Sequence, residues 1–480
     1  MKTKIIFIGL SLVTAGFIMT GCGSDSGSDA GAAAGTTVSG QLADSYIANA
    51  DFECGDKKKG TTDKDGRFSC DKFPVKFTIG NLELGSINSL PADKHVFPQD
   101  LVGVGRDDVN NSDVVAMAQF LQACDDDNNT ANGIQIRAEI RKKLQRFEDS
   151  LNAQTVEAVA MDLNVKLTKK DTAVAHLEHT TKFVKDVHQH SKNIPGEIQD
   201  IILTPNSTLT QEAKNTLSYM GNEERLAHDL YLELYNYHQD KGTDIRLLST
   251  LATTSETTHI QVVQALTKKY ITNADEFTNT DLKESNHADI GAEYMKMGVY
   301  DISDIQKLHN TLIETGKESK EAALKVGCMV EVTDIDDLTK SIEIAKDSNA
   351  TDIVEAFTFL KRGSYFHYWA FDKNLKERGV ENGCCSAGDK YCHDEYPEKE
   401  KAVAQEQAQK HQQVKKDEQV QKGDEAQKRD QARKDEQAQK GDEAQKQDQA
   451  RKDEQAQRDA EAQKQEQVKK DEIPVTFKNN

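Results

Sequence analysis

Four segments of this chain have helical periodicity, and each carries a polar group in a slot where the pattern asks for an apolar residue. The first runs Ala213, Leu217, Met220, then Ala227, Tyr231 and Leu234, with Glu224 filling the gap on the same face. Steps of three and four trace one face of an α-helix. The second runs Leu248, Ala252, Glu256, His259, Val263, Leu266. The third runs Ala323, Gly327, Glu331, Asp334, Leu338, Ile342. The fourth runs Ile353, Ala356, Leu360, Ser364, His367, Phe371. Burying an unpaired carboxylate is costly, so four helices doing so at mid-length call for a shared partner. A cation neutralises carboxylates and orders imidazoles. Inward Glu and Glu-x-x-His ligands on four helices form the di-iron or di-manganese carboxylate arrangement.

The phrases that carry these groups resemble the ferritin-like superfamily, and most closely a prokaryotic family catalogued as a domain of unknown function. The resemblance spans roughly Leu209 to Leu375, with an insertion near Asp275 to Lys296. Glu224-x-x-Ala227-x-x-x-Tyr231 is similar to the first ligand helix of rubrerythrins. Glu256 and His259 match the Glu-x-x-His of their second helix, and Glu331 and Asp334 a Glu-x-x-Glu pair on the third. The fourth helix departs from the pattern: Ser364-x-x-His367 stands where Glu-x-x-His belongs, one bridging carboxylate short. The resemblance implies a ferritin-like four-helix bundle over 208–380. Glu224, Glu256, His259, Glu331 and His367 are its metal ligands. Asp334 is a sixth ligand or a neighbouring base, and Tyr231 hydrogen-bonds a ligand or relays an electron. Oxygen-rich ligation with two imidazoles suits iron or manganese, one or two ions. Two ions imply redox chemistry with O₂ or peroxide; one ion implies a structural or storage site.

The N-terminus places this core in a compartment. Lys2 and Lys4 precede the apolar run Ile5 to Met19, which is short for a membrane span. Met19-Thr20-Gly21-Cys22 looks like a lipobox, so 1–21 is expected to be a lipoprotein signal peptide and Cys22 the lipidated residue. Gly23 follows in place of the Asp of inner-membrane retention, so a lipid anchor in the outer membrane of the envelope is expected, secured by several acyl chains. Residues 22–36, rich in Gly, Ser and Ala, read as a flexible tether. A formal charge of −20 argues against nucleic acid as a partner.

Residues 37–90 alternate like strands, and Asp65-Gly66 supplies a hairpin turn. This stretch resembles small β-sandwich modules of the transthyretin and carboxypeptidase regulatory type. Cys54 and Cys70 end neighbouring strands and are disulfide candidates once exported; two reduced core thiols are the alternative. A helical region covers 91–200. Its Asp125-Asp126-Asp127 run fails the EF-hand spacing and reads as a capped turn. His176, His179, His188 and His190 read as a solvated helix face. A further Glu-x-x-His, Glu284 to His287, sits in polar surroundings and reads as chance. Residues 381–396 hold Cys384, Cys385 and Cys392, expected to form a disulfide-stapled cap, with zinc or copper on Cys392 and His393 as the alternative.

From 397 to 480 the chain is low in complexity, and a KDEQ-headed unit recurs at Lys416, Lys434 and Lys452. Acids stand four residues before bases, as in Glu418 to Lys422, which supports a solvated helix. Disorder competes, and a spacer or envelope contact are the roles considered. The fold class expected is therefore mainly α: a four-helix bundle, a small N-terminal β-sandwich module, and a long charged tail, helical or disordered. The function expected is that of an exported, lipid-anchored metal protein, a di-iron type oxidase, ferroxidase or peroxide reductase, with a homodimer considered. The rival is a non-catalytic envelope protein that uses the bundle as a scaffold.

Overall fold

The computed structural model describes residues 37–190, 192–271 and 296–398, with isolated helical positions between 452 and 464. The lipobox and Cys22, the tether, the pair Glu284 and His287, and nearly all of the repeat tail lie outside the described residues. Among the described residues, no helix is long and apolar enough to cross a membrane.

The chain divides into two compact units: 1–189 with 204–206, and 190–203 with 207–480. The first unit begins with strands β1 (Val38–Leu42), β2 (Ile47–Ala48), β3 (Asp51–Glu53), β4 (Lys59–Thr61), β5 (Arg67–Cys70), β6 (Val75–Ile79), β7 (Leu82–Ile87) and β8 (His95–Val96). One sheet has the order β5-β1-β8 and the other β4-β3-β6-β7. Phe68 of the first sheet meets Phe77 of the second at 4.9 Å between ring centroids. Gly66 turns the chain into β5 at φ 72°, and a Cβ there would lie 2.5 Å from the Leu42 carbonyl oxygen, so the Asp-Gly turn admits no side chain.

The sequence suggests a β module at 37–90 followed by a separate helical region. The structure merges them. Helices α1 (Pro98–Val102), α2 (Ser112–Ala123), α3 (Ala138–Leu144), α4 (Val156–Leu163) and α5 (Lys170–His190) follow, with a short strand β9 (Ile134–Gln135) parallel to β2. Met117, Phe120 and Leu121 of α2 and Leu144 of α3 share one core with Phe52, Phe77 and Leu82. Strands this short leave apolar surface that only the helices can cover.

The second unit is helical: α6 (Gly196–Ile202), α7 (Gln211–Asp240), α8 (Arg246–Thr250), a π-helical turn Leu251–Glu256 running straight into α9 (Thr257–Tyr270), α10 (Ser303–Gly316), α11 (Lys320–Asp347) and α12 (Thr351–Glu377). Thr210 and Ser319 cap α7 and α11 by accepting the backbone N–H of Ala213 and Ala322. The contacts fix the helix directions. Tyr219 reaches Asp337 while Tyr231 reaches Glu331, so α7 and α11 run antiparallel. Gly363 packs on His259 while His367 meets Ser255, so α12 runs antiparallel to the stretch from the π turn into α9. Gly221 faces Val263 while Glu224 meets His259, and Gly327 faces Phe371 while Asp334 meets Ser364, so α7 and α9, and α11 and α12, are antiparallel as well, and these helices turn their polar groups toward one interior. The molecule is mainly helical, with a β-rich N-terminal region.

Candidate metal centre

Five of the polar groups singled out by periodicity converge in that interior. Glu224, Glu256, His259 and Glu331 are at most 2% exposed, and His367 is 5% exposed. Glu256 stands between two groups. His259 Nδ1 lies 3.1 Å from Glu224 Oε2 and 3.2 Å from Glu256 Oε2. His367 Nδ1 lies 2.9 Å from Glu256 Oε1 and 3.4 Å from Glu331 Oε2. Each triad, Glu224–Glu256–His259 and Glu256–Glu331–His367, offers ligand atoms within 4.8 Å of one another. The two rings stack at 5.4 Å, so the triads are adjacent.

Local sequence explains the placement. Thr253, Thr254 and Thr258 turn their hydroxyls back onto carbonyls four residues earlier, and Thr257 reaches Ala252 five residues back. Such back-bonding loosens the α ladder, and the wider π turn that results ends at Glu256. Ser255, on the same turn, lies 2.7 Å from His367 Nε2, which leaves Nδ1 to the carboxylates. Tyr231 Oη donates to Glu331 Oε1 at 2.5 Å. Ser364 Oγ lies 2.5 Å from Asp334 Oδ2.

The electrostatics are those of crowded carboxylates partly answered by imidazoles. Burial opposes charge on His367, but Glu256 and Glu331 outweigh it and push its pKa up to about 10. Burial is likewise overcome at His259, chiefly by Glu224, and its pKa stands well above the usual range. Glu256 is held below the ordinary carboxylate range because His367 and His259 outweigh its burial. Burial pushes Glu331 up to about 6 against the pull of His367. Glu224 and Asp334 are raised, mainly by burial.

Glu223 is a buried acid that periodicity does not pick out. It is 5% exposed, and its pKa is raised by burial and then by Asp334 and Asp337. It lies outside the apolar stripe of α7, so no helical pattern flags it. The rest of the first phrase is structural. Asp229 accepts from Tyr300 Oη and Gly298 N at 2.9 Å, and Arg225 donates to the Val299 carbonyl, so both hold the segment before α10.

Outside the interior, Cys54 pairs with Cys70, and Cys385 with Cys392. Cys384 instead reaches Cys328 on α11, a link the sequence reading does not contain. With Cys392 in a disulfide, the zinc or copper alternative with His393 loses its thiolate. The Asp125–Asp127 turn caps backbone: Asp125 accepts from Gln135 N and Asp127 from Asn129 N. The histidine face of α5 is less solvated than its polarity suggests. The Nε2 atoms of His176 and His188 are buried without hydrogen-bond partners among the described residues.

Fold and site together define a mainly helical protein built round a buried carboxylate–imidazole cluster. Residues 213–390 match the family described as "Uncharacterized protein domain (DUF2202)", and the chain belongs to that family. Uncharacterized protein MJ0754 of Methanocaldococcus jannaschii is 33% identical over 175 residues, covering 36% of this chain and 81% of the relative. A crystal structure titled as hypothetical protein MJ0754 from Methanococcus jannaschii is 31% identical, covers 36% of this chain and 86% of that one, and has a TM-score of 0.30.

Proposed function

We propose that this protein binds redox-active metal, iron or manganese, in a ferritin-like four-helix bundle, at two adjacent positions that share Glu256. One observation carries the reading. His367 Nδ1 and Glu256 Oε1 lie 2.9 Å apart, yet neither makes a hydrogen bond among the described residues. Glu224 Oε1 and Asp334 Oδ1 are buried without partners as well. Orphaned buried polar atoms are rare in folded proteins. Ligand atoms about 2.1 Å from one ion and at right angles to each other stand about 3 Å apart, which is the spacing of His259 Nδ1 from Glu224 Oε2 and from Glu256 Oε2. The donor set fits the group.

Glu224, His259 and Glu256 would hold one ion, and Glu256, His367 and Glu331 the other. Bound metal of this kind supplies one-electron chemistry toward O₂ or peroxide. The chain's own residues do the rest. Ser255 fixes the tautomer and tilt of His367, Tyr231 restrains Glu331, and apolar helix faces exclude bulk water. A groove of about 990 Å³, lined by Ser255, Gly363, Phe366, His367 and Trp369, gives a small oxidant access from the His367 side. Fe(II) oxidation or peroxide reduction is the activity proposed. Met19-Thr20-Gly21-Cys22 supports export and lipid anchoring at Cys22, and three disulfides among the described residues suit an oxidising compartment.

Elemental analysis of protein loaded anaerobically with Fe(II) tests the reading, with peroxide consumption as the second readout. Two ions per chain, lost when Glu256 and His259 are both replaced by Ala, are expected. Unchanged uptake in that variant would overturn the site. Metal-free protein after loading would favour a scaffold held by imidazolium–carboxylate pairs.

A further inference from the structure

The first unit holds its own pair of buried imidazole nitrogens. His95 lies on β8 and His188 near the end of α5, with ring centroids 5.9 Å apart and ring planes at 63°. His95 is 1% exposed, and its Nε2 has no hydrogen-bond partner among the described residues. His188 is half-buried, yet its Nε2 is buried and likewise without a hydrogen-bond partner among the described residues, so that nitrogen is turned inward. We propose that His95 and His188 hold a Cu(I) ion between their Nε2 atoms, at a site independent of the carboxylate cluster in the second unit.

The strand fixes which nitrogen of His95 is free to bind. Its Nδ1 donates to the Asp93 carbonyl at 2.6 Å, and its backbone N–H donates to Asp93 Oδ1 at 3.0 Å. A neutral imidazole with its proton on Nδ1 carries a lone pair on Nε2. Burial pushes the pKa of His95 down to about 4, so the lone pair is present at neutral pH. Arg106 clamps this stretch by donating to the His95 carbonyl at 2.6 Å and to both Asp93 and Asp100. Hydrogen bonds of this kind orient metal-binding imidazoles. The ring spacing suits a shared ion. A metal about 2.0 Å from each Nε2 lies about 3.1 Å from each centroid, so the centroids stand about 5 Å apart at a tetrahedral angle and about 6.3 Å apart with the bonds in line.

The surroundings select the metal. Arg106 occupies the nearby acids, and among the described residues no carboxylate or thiol forms a three-ligand group with the pair. The rings of Tyr46 and Phe97 stand 6.0 and 6.3 Å from that of His95. Zn(II) seeks four ligands and manganese seeks oxygen. Cu(I) is monovalent and content with two nitrogens, so a pocket of neutral imidazoles and aromatic walls fits it. His176, twelve residues earlier on α5, stands about 18 Å away along the helix and takes no part. The competing arrangement is a buried water that donates to both nitrogens.

Anaerobic titration of the full chain with Cu(I), kept reduced by ascorbate and competed with bicinchoninate, separates the two. The variant Glu256→Ala with His259→Ala, which removes ligands of the other cluster, should still take up one Cu(I), and X-ray absorption should show it bound by nitrogen alone. In that background His95→Gln and His188→Gln should each weaken binding by more than about 100-fold. His188→Met replaces the imidazole with a thioether, a good Cu(I) ligand, and should retain the ion. Because His188 sits on a half-exposed helix face, its variants decide the matter even if His95→Gln fails to fold. No Cu(I) uptake by the background variant would overturn the proposal in favour of the water, and unchanged affinity in His188→Gln would overturn it as well. Neither result bears on the metal site proposed in the second unit, which is read by Fe(II) loading of the wild-type chain.

Discussion

Gly363 packs against the imidazole of His259: a methyl group at that position would lie 2.5 Å from Nε2 and 2.7 Å from Cε1. Glycine in a helix interior is normally a weakness, costing about 1 kcal/mol against alanine. Here the ring occupies the space a side chain would need, and α12 gives up that stability to bring His259 beneath it.

Gly363→Ala should therefore reverse the usual sign. Alanine is expected to destabilise the metal-free protein and to cut metal affinity by about tenfold or more, because His259 must tilt off its carboxylates. Urea unfolding and metal titration check this. A more stable variant with full affinity would show that the ring can move freely.

Tyr231→Phe removes the donor to Glu331 Oε1 and leaves a buried carboxylate oxygen bare. Loss of about 1–3 kcal/mol in metal-free stability is expected, with two ions still bound. Should the phenol take part in electron transfer, peroxide consumption by the loaded variant would fall while its metal count stayed the same. Equal rates in both proteins would confine Tyr231 to holding Glu331.

The Cys328–Cys384 link closes a loop with a sequence separation of 56 and ties α11, three residues before Glu331, to the turn after α12. Loop-closure entropy puts its contribution at about 4 kcal/mol. Cys384→Ser should lower the unfolding midpoint markedly, and reductant should do the same to the wild-type chain but add little to the variant. The Cys385–Cys392 link closes a much shorter loop, so Cys392→Ser should matter less.

Asp44 in the first unit is fully buried, and desolvation pushes its pKa up to about 7 despite a hydrogen bond from Gln122. The folded state holds this proton more tightly than the unfolded chain does. Asp44 thus lowers stability progressively as pH rises from about 4 to about 7, on the order of 4 kcal/mol in total. Asp44→Asn keeps an acceptor for Gln122 and should flatten that slope, leaving the variant more stable at pH 7 and nearly equal to wild type at pH 4. Denaturation at the two pH values decides it; parallel curves would mean that Asp44 is solvated.

How much was legible along the chain depends on the range of the signal. Periodicity is local. It marked Glu224, Glu256, His259, Glu331, Asp334, Ser364 and His367 as polar groups on inward faces, because a helix repeats every 3.6 residues whatever surrounds it. The Asp65-Gly66 turn and the pairing of Cys54 with Cys70 were legible for the same reason, since their partners stand a strand or two away. Tertiary structure decided which inward groups meet. That Glu256 faces both imidazoles depends on a π turn: its threonines stand in the sequence, but the register it sets against the neighbouring helices is decided by packing. Glu223 is buried with Asp334 and Asp337 of α11 as charged neighbours, a meeting of two helices that spacing along one of them does not show. The partnership of Ser364 with Asp334 and the room Gly363 leaves for His259 exist between helices, so composition and spacing are silent about them. The sequence determined which side chains turn inward; close packing of helices distant in the chain decided which of their atoms come within about 3 Å of one another.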